Sequence, residues 1–496
     1  MSLKPIKMKS YLLLLLLPLL AIGIFCLRYH QDIFQYYLPN SQLNDEVIYY
    51  KTIEGIKEYG IPQGYFGYNE SHAAIGTLGV WSPVIYLFDV LWGCAAGWNF
   101  SSPVAARIFF AILTMLAYSV MCKPDAKKMI CLSLFVIGFT LYARYLASQM
   151  ADCYIVGLLI LFAGLYERRD ERVYSTVIRV LIVILTLIRP YFVLLLAPVN
   201  GLRNDKRQLI KDFLVALSSV MVFFLLLKLF TADFFISMVG FGWLKMKLGS
   251  RADAVRNLFV IIGDATKFIN RNIEAAFTSG NEVGGQYCLF YLLTFIFLVL
   301  CILDKNKRKE WITWLLVNIL LWFAIVFFYD VKIGSRQLMP VIIMEGFILI
   351  GRNAIRGASV LLILLTIFLF FVKLTDPILT TYPTYDAVFD EQIEEMNVEL
   401  TEKMAVETND RWKNTVLWVF SDIDGDFPWQ TLYALPAGMG INVCTYEYVI
   451  DCFDELSAKY IACTSNGKVA ELCNENGYKK LLDREDVGIY IYEHSQ

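Results

Sequence analysis

The sequence predicts a mainly α, polytopic bundle of transmembrane helices followed by a small extracytoplasmic α/β domain. Three observations predict it. Of 496 residues, 57% are hydrophobic, 15% aromatic and only 18% charged, where a soluble chain carries about a quarter charged. Mean hydropathy is +0.53, and the deficit of charge falls in long apolar runs, about eleven of which are suited to crossing or entering a bilayer. Past residue 375 the composition shifts to frequent acids and short apolar runs, which divides the chain into 1–375 and 376–496. The net charge of −2 offers no electrostatic footing for nucleic acid. With only 3 histidines, a His-based metal site is excluded.

Lys4, Lys7 and Lys9 precede the leucine run Tyr11–Leu27, and no small-residue cleavage site follows it. The expectation is an uncleaved first span with a cytoplasmic N-terminus in a multi-pass cell-membrane protein. Leu38–Tyr50 is then extracytoplasmic. Val47–Tyr59 has helical periodicity, with Asn44 as N-cap, Gly60 as the stop and Pro62 beyond. Asp45 and Glu46 fall in its first turn, where unpaired backbone N–H groups favour a carboxylate. First-turn acids also serve stability alone, and that reading stands beside the functional one. The loop 60–79 is glycine-rich and holds His72. Pro83–Trp98 is short for a span and is expected in the interface.

Pro103–Cys122 carries Arg107 near its outer end, and Lys123, Lys127 and Lys128 mark a cytoplasmic return. Met129–Leu146 is expected to lead out to Arg144, and Cys153–Tyr166 to lead back from Asp152 to Arg168, Arg169 and Arg172. Thr176–Val199 is basic on both flanks and broken by Arg189-Pro190. That predicts two half-length helices returning to the cytoplasm, with Arg189 deep in the membrane. Leu209–Phe230, Tyr287–Leu303, Trp311–Phe328, Leu338–Gly351 and Ser359–Lys373 complete the spans, with 231–286 a long outer stretch and Lys332 and Arg336 in a short one. In the last domain, Thr415–Phe420, Lys459–Cys463 and Ile489–Tyr492 read as strands, and Val469–Asn474 as a helix closed by Gly477. Cys444, Cys452, Cys463 and Cys473 lack zinc-site spacing; an extracytoplasmic disulfide among them is open. Asp422–Asp426 imitates a calcium loop, but Tyr433 stands where the glutamate ligand belongs, so a turn is expected.

The outer face thus gathers Asp45, Glu46 and Asp152 with Arg107, Arg144, Lys332 and Arg336. Carboxylates can deprotonate an acceptor hydroxyl, and arginines can fork onto a phosphate leaving group. Arginines also snorkel to headgroups.

Asn44-Asp45-Glu46-Val47-Ile48-Tyr49 resembles the Asp-Glu-x-x-Tyr signature in the first outer loop of GT-C glycosyltransferases, which include protein O-mannosyltransferases and aminoarabinose transferases. Val104-Ala105-Ala106-Arg107 resembles the arginine-bearing entry to their second span. Ala143-Arg144 through Ala151-Asp152 is similar to a run in which an acid opens the fourth span. Gly334-Ser335-Arg336-Gln337-Leu338-Met339-Pro340 resembles a late Ser-Arg-Pro segment. The resemblance implies transfer of a sugar from a polyprenyl-phosphate donor to an extracytoplasmic glycolipid, polysaccharide or protein acceptor. It makes Asp45 the base, Glu46 and Asp152 supporting acids, and Arg107, Arg144 and Arg336 the phosphate side. Apart from the resemblance, Lys332 and Tyr49 are candidate substrate contacts, as is His72, which a solvated loop position explains equally. Some members hold Mg or Mn between the equivalent acids and others need no metal. No WWD-type motif is present, which sets the oligosaccharyltransferase branch aside. The rival readings are a transporter or lipid flippase built on Arg189, and a polysaccharide polymerase or ligase of related architecture.

Overall fold

The computed structural model describes residues 11–29, 44–60, 66–68, 82–99, 101–146, 148, 150, 152–200, 206–231, 241–250, 253–278, 282–329, 331, 334–352, 356–371, 387–404, 415–420, 429–485 and 489–494. A 3-10 turn at Tyr11–Leu16 runs into α1 (Leu17–Tyr29). The first loop follows with α2 (Asn44–Tyr59) and the short strand β1 (Phe66–Tyr68). Gly60 ends α2 at φ +73 while its N–H still reaches the Ile56 carbonyl at 2.8 Å, a left-handed stop that costs a Cβ-free residue nothing. Next come α3 (Leu87–Ala96), α4 (Ser102–Cys122), α5 (Ala126–Gly138), α6 (Thr140–Leu146), α7 (Asp152–Glu167) and α8 (Arg172–Ile188). A 3-10 stretch Pro190–Leu195 leads to α9 (Leu196–Asn200) and then α10 (Lys206–Phe230). The long second loop contains α11 (Phe241–Leu248) and α12 (Ala254–Thr278). The bundle closes with α13 (Glu282–Leu303), α14 (Arg308–Phe328), α15 (Gly334–Arg352) and α16 (Arg356–Phe371).

Among the described residues, 5 helices are long and apolar enough to cross a membrane: Tyr11–Arg28, Ser102–Cys122, Arg207–Phe230, Val283–Leu303 and Arg308–Phe328. The pair α5 and α6 makes a sixth if counted as one span, but it bends by 72°. The straight span expected over Met129–Leu146 is therefore broken. Phe139 leaves helical geometry at φ −94, ψ 78, and α6 turns inward, so that Arg144 is 4% exposed rather than reaching to headgroups. Helices approach closely where side chains are absent. A Cβ on Gly157 would meet Phe110 of α4 at 2.6 Å, the small-residue packing that van der Waals contact between membrane helices requires.

The contacts fix which helix ends lie together. Asp152 of α7, Gln337 of α15 and Arg189 after α8 meet at one end. At the other, Glu310 of α14 joins Arg169 and Arg352, Arg352 pairs Glu167 at 3.1 Å, and Lys128 of α5 bonds the Gly351 carbonyl. The segment 172–200 runs from this Glu167 end to the Asp152 end and back, since Asn200 bonds Arg179 at 2.9 Å and Pro198 receives the Tyr166 hydroxyl at 3.4 Å. The return expected from the charges is present, but the halves are unequal. The 17-residue α8 spans about 25 Å, which carries Arg189 to the far end of the bundle instead of mid-depth.

At the Asp152 end stands a second unit, with α17 (Ala387–Lys403), β2 (Thr415–Phe420), β3 (Gly440–Thr445), α18 (Tyr446–Cys452), β4 (Tyr460–Thr464), α19 (Lys468–Glu475), β5 (Lys479–Arg484) and β6 (Ile489–Glu493). Its sheet has the order β1-β3-β2-β4-β6-β5, with β1, β3, β2 and β4 parallel and β6 and β5 antiparallel. Alternate residues feed two cores, as a period of two demands. Val416, Trp418, Ile441 and Val443 pack with α17 through Met396 and Leu400; Leu417, Val419, Cys444 and Cys463 pack with Val449, Val469 and Cys473. These cysteines serve as small core side chains. The expected strands and helix are present within two residues of their bounds, Gly477 sits at φ +71, and the sheet extends to β1 from the first loop.

Candidate functional site

Pro190 has no N–H to give and disfavours helix at the residue before it. Arg189 accordingly is extended, at φ −142 and ψ 119. Its guanidinium turns from the helix axis into the bundle, where it pairs with Asp152 and donates to Gln337 and, at 3.2 Å, to the Tyr191 hydroxyl. Tyr191 stands edge-on to Tyr329 with ring centres 5.8 Å apart. Asp152, Arg189 and Gln337 are each 1–2% exposed. Buried charges of this kind survive only when paired and hydrogen-bonded, and the fork of an arginine suits three acceptors at once. Gln337 adjoins Arg336 in the late motif, so the sequence segments opening α7 and α15 meet on Arg189.

A second buried pair stands beside it. Arg107 meets both oxygens of Asp89 at 3.1 Å, donates to the carbonyls of Met150 at 3.2 Å and Pro103 at 2.9 Å, and lies 5.0 Å from the Tyr154 ring centre. Tyr154 donates its hydroxyl to Asp89. Through Met150, two residues before Asp152, Arg107 holds the turn that opens α7. Arg107 was expected on the phosphate side; its fork is committed to Asp89 instead. Asp89 escaped the sequence reading, although it is the sole charge in the apolar run Pro83–Trp98, a pattern that itself marks an intramembrane partner. Asp89 and Gly93 are the buried positions of α3, while Leu87 and Leu91 are exposed.

The remaining expected residues divide. Arg144 is buried with its guanidinium 5.8 Å from the Tyr145 ring centre. Asp45 and Glu46 do lie in the first turn of α2. Glu46 is fully buried, and so is Tyr433 of the 3-10 turn Trp429–Ala434. Burial first, then the neighbouring Glu46 and Tyr50, hold the Tyr433 hydroxyl well above its usual pKa, so it stays a donor. Tyr49 packs edge-on against Tyr86 at 5.6 Å. Tyr50 lies between Trp98, 5.5 Å away, and Tyr433, 5.2 Å away, while buried Lys51 bonds the Leu435 carbonyl. Thus α2 is clamped between bundle and sheet, and the carboxylate run it carries stands at their junction. The side chains of Asp45 and Arg336, together with His72, Lys332 and the 422–426 turn, lie outside the described residues.

Among the described residues no group of three His, Cys, Asp or Glu could hold a metal ion.

No family model matches the sequence, and no curated protein matches it. Among solved structures the chain is similar to two of ArnT from Cupriavidus metallidurans, one bound to undecaprenyl phosphate and one in the apo state. The identities are 10% and 12%, each TM-score is 0.42, and the matches cover 97% of this chain and 99% and 98% of those.

Proposed function

We propose that this chain is an integral-membrane glycosyltransferase that moves a sugar from a polyprenyl-phosphate donor to an extracytoplasmic glycolipid, polysaccharide or protein. The observation that carries the reading is the meeting of Asp152, Arg189 and Gln337. Motif segments separated by more than a hundred residues close on one point, at the end of the bundle that also bears α2 and the sheet. That end faces outward in this reading. Its support is the basic residues of the opposite end, among them Lys128, Arg169 and Arg352, which favour the cytoplasm.

In the proposed reaction Asp45 takes the proton of the acceptor hydroxyl. The freed oxygen attacks the anomeric carbon, the bond from that carbon to the phosphate oxygen breaks, and the polyprenyl phosphate leaves with the electron pair. In this reading Arg336 and Lys332 take that leaving charge, while Arg107 and Arg189, engaged with Asp89 and Asp152, act as the frame. The Asp152–Arg189 contact at a bundle end weighs against a transporter with a mid-depth arginine.

The test is purified protein in lipid nanodiscs with radiolabelled polyprenyl-phosphate sugars and envelope acceptors. Asp45→Asn should abolish transfer while folding normally. Retained transfer removes Asp45 as base, and vesicle uptake of sugar without any product removes the transferase reading.

A further inference from the structure

Glu345 is the one acid on α15, and it stands between the two polar ends of the bundle. It is eight residues from Gln337 and seven from Arg352, about 12 and 10 Å along the axis. It is 0% exposed. Its described partner is Asn318 of α14, whose Nδ2 donates to Glu345 Oε2 at 3.2 Å and to Thr294 Oγ1 at 3.1 Å. Thr294 gives its own hydrogen to the Phe290 carbonyl at 2.8 Å. The hydroxyl can therefore only accept from Asn318, which fixes the amide with nitrogen toward Thr294 and Glu345. Both N–H groups of Asn318 are then used. Two buried oxygens are left without a donor, Asn318 Oδ1 and Glu345 Oε1.

No cation answers Glu345 among the described residues. The charged groups on the helices packed about it are Asp152 and Glu167 on α7, Lys127 and Lys128 on α5, Glu282 on α13, Arg308, Lys309 and Glu310 on α14, and Arg356 on α16. All stand in first or last turns, as do Arg336 and Arg352 of α15 itself. Nearby tyrosines are engaged elsewhere: Tyr154 with Asp89, Tyr166 with Glu310 and Tyr287 with the Val331 carbonyl. An ionised carboxylate with one amide donor in such surroundings would be left stripped of water without compensation, and a buried acid escapes that by taking a proton.

We infer that Glu345 is a proton-binding site in the core of the bundle, a neutral carboxylic acid joined to Asn318 as an acid–amide pair. The proton on Oε1 supplies the donor that the two bare oxygens lack and ties α15 to α14 by a second hydrogen bond. That bond would hold α15, and with it Gln337 and Arg336, against the rest of the bundle. The inference stands independently of the transferase reading, because it rests on a layer that reading does not use.

Glu345→Gln tests it, since glutamine offers Asn318 the same donor and acceptor without charge. In lipid nanodiscs at neutral pH, the infrared difference spectrum between the full-length chain and E345Q should show loss of a protonated-acid C=O stretch. E345Q should melt with the parent protein, and E345A several degrees lower. Loss of a carboxylate stretch instead of an acid band overturns the inference. So does a Gln variant that fails to fold or melts as low as the Ala variant.

Discussion

Replacing Arg107 by methionine separates a guanidinium that holds the frame from one that binds phosphate. In the structure both Asp89 oxygens face the Arg107 fork at 3.1 Å, with the two side chains 3% and 1% exposed. Removing one member of such a pair leaves an uncompensated buried charge, which costs about 3–5 kcal/mol. Arg107→Met should therefore lower thermal stability markedly, and Asp89→Asn should do the same. The double variant has no charge to strand, so its loss should fall short of the sum by about 1–3 kcal/mol, the coupling typical of residues in direct contact. The assay is the monodisperse fraction surviving a temperature series in detergent, followed by fluorescence-detected size exclusion, with donor KM measured in nanodiscs. An Arg107→Met protein that melts like the parent while donor KM rises about tenfold, a loss of some 1.4 kcal/mol, would show that the guanidinium reaches the phosphate and refute the reasoning.

Further outcomes follow from other contacts. Arg189→Lys keeps the charge but cannot fork onto Asp152, Gln337 and Tyr191 together; transfer should fall at least about tenfold, measured as initial rate, and unchanged turnover would release Arg189 from the frame. Tyr50→Ala removes a ring packed on Trp98 and Tyr433 at a cost of about 3–5 kcal/mol. Hydrogen exchange across 429–435 should accelerate, and an unchanged rate would mean that the Tyr50 ring does not hold that turn. Gly284→Ala would drive a Cβ into the backbone of Asn272 between α12 and α13, while Gly263 has nothing within 4 Å of such a Cβ. Folded yield should collapse for the first and hold for Gly263→Ala, and equal yields would mean that the hairpin is not closed this tightly.

The sequence by itself determined the membrane class, the strands of the sheet unit from residue 415 onward and the first turn of α2. Each follows from short-range physics: apolar runs with basic returns, alternation in 415–420, and an asparagine, two acids and a terminal glycine around 44–60. It also identified 176–199 as a segment that enters and returns, because charge on both flanks and Arg189-Pro190 are local facts. Partner choice was decided only by the tertiary structure. Arg107 took Asp89, eighteen residues back, and Arg189 took Asp152 and Gln337, because a buried ion selects whichever opposite charge packing brings within reach. The joining of β1 to β3 across more than 370 residues belongs to the same class. An edge of three residues has no pattern of its own, and only the approach of the folded sheet gives its backbone groups a partner.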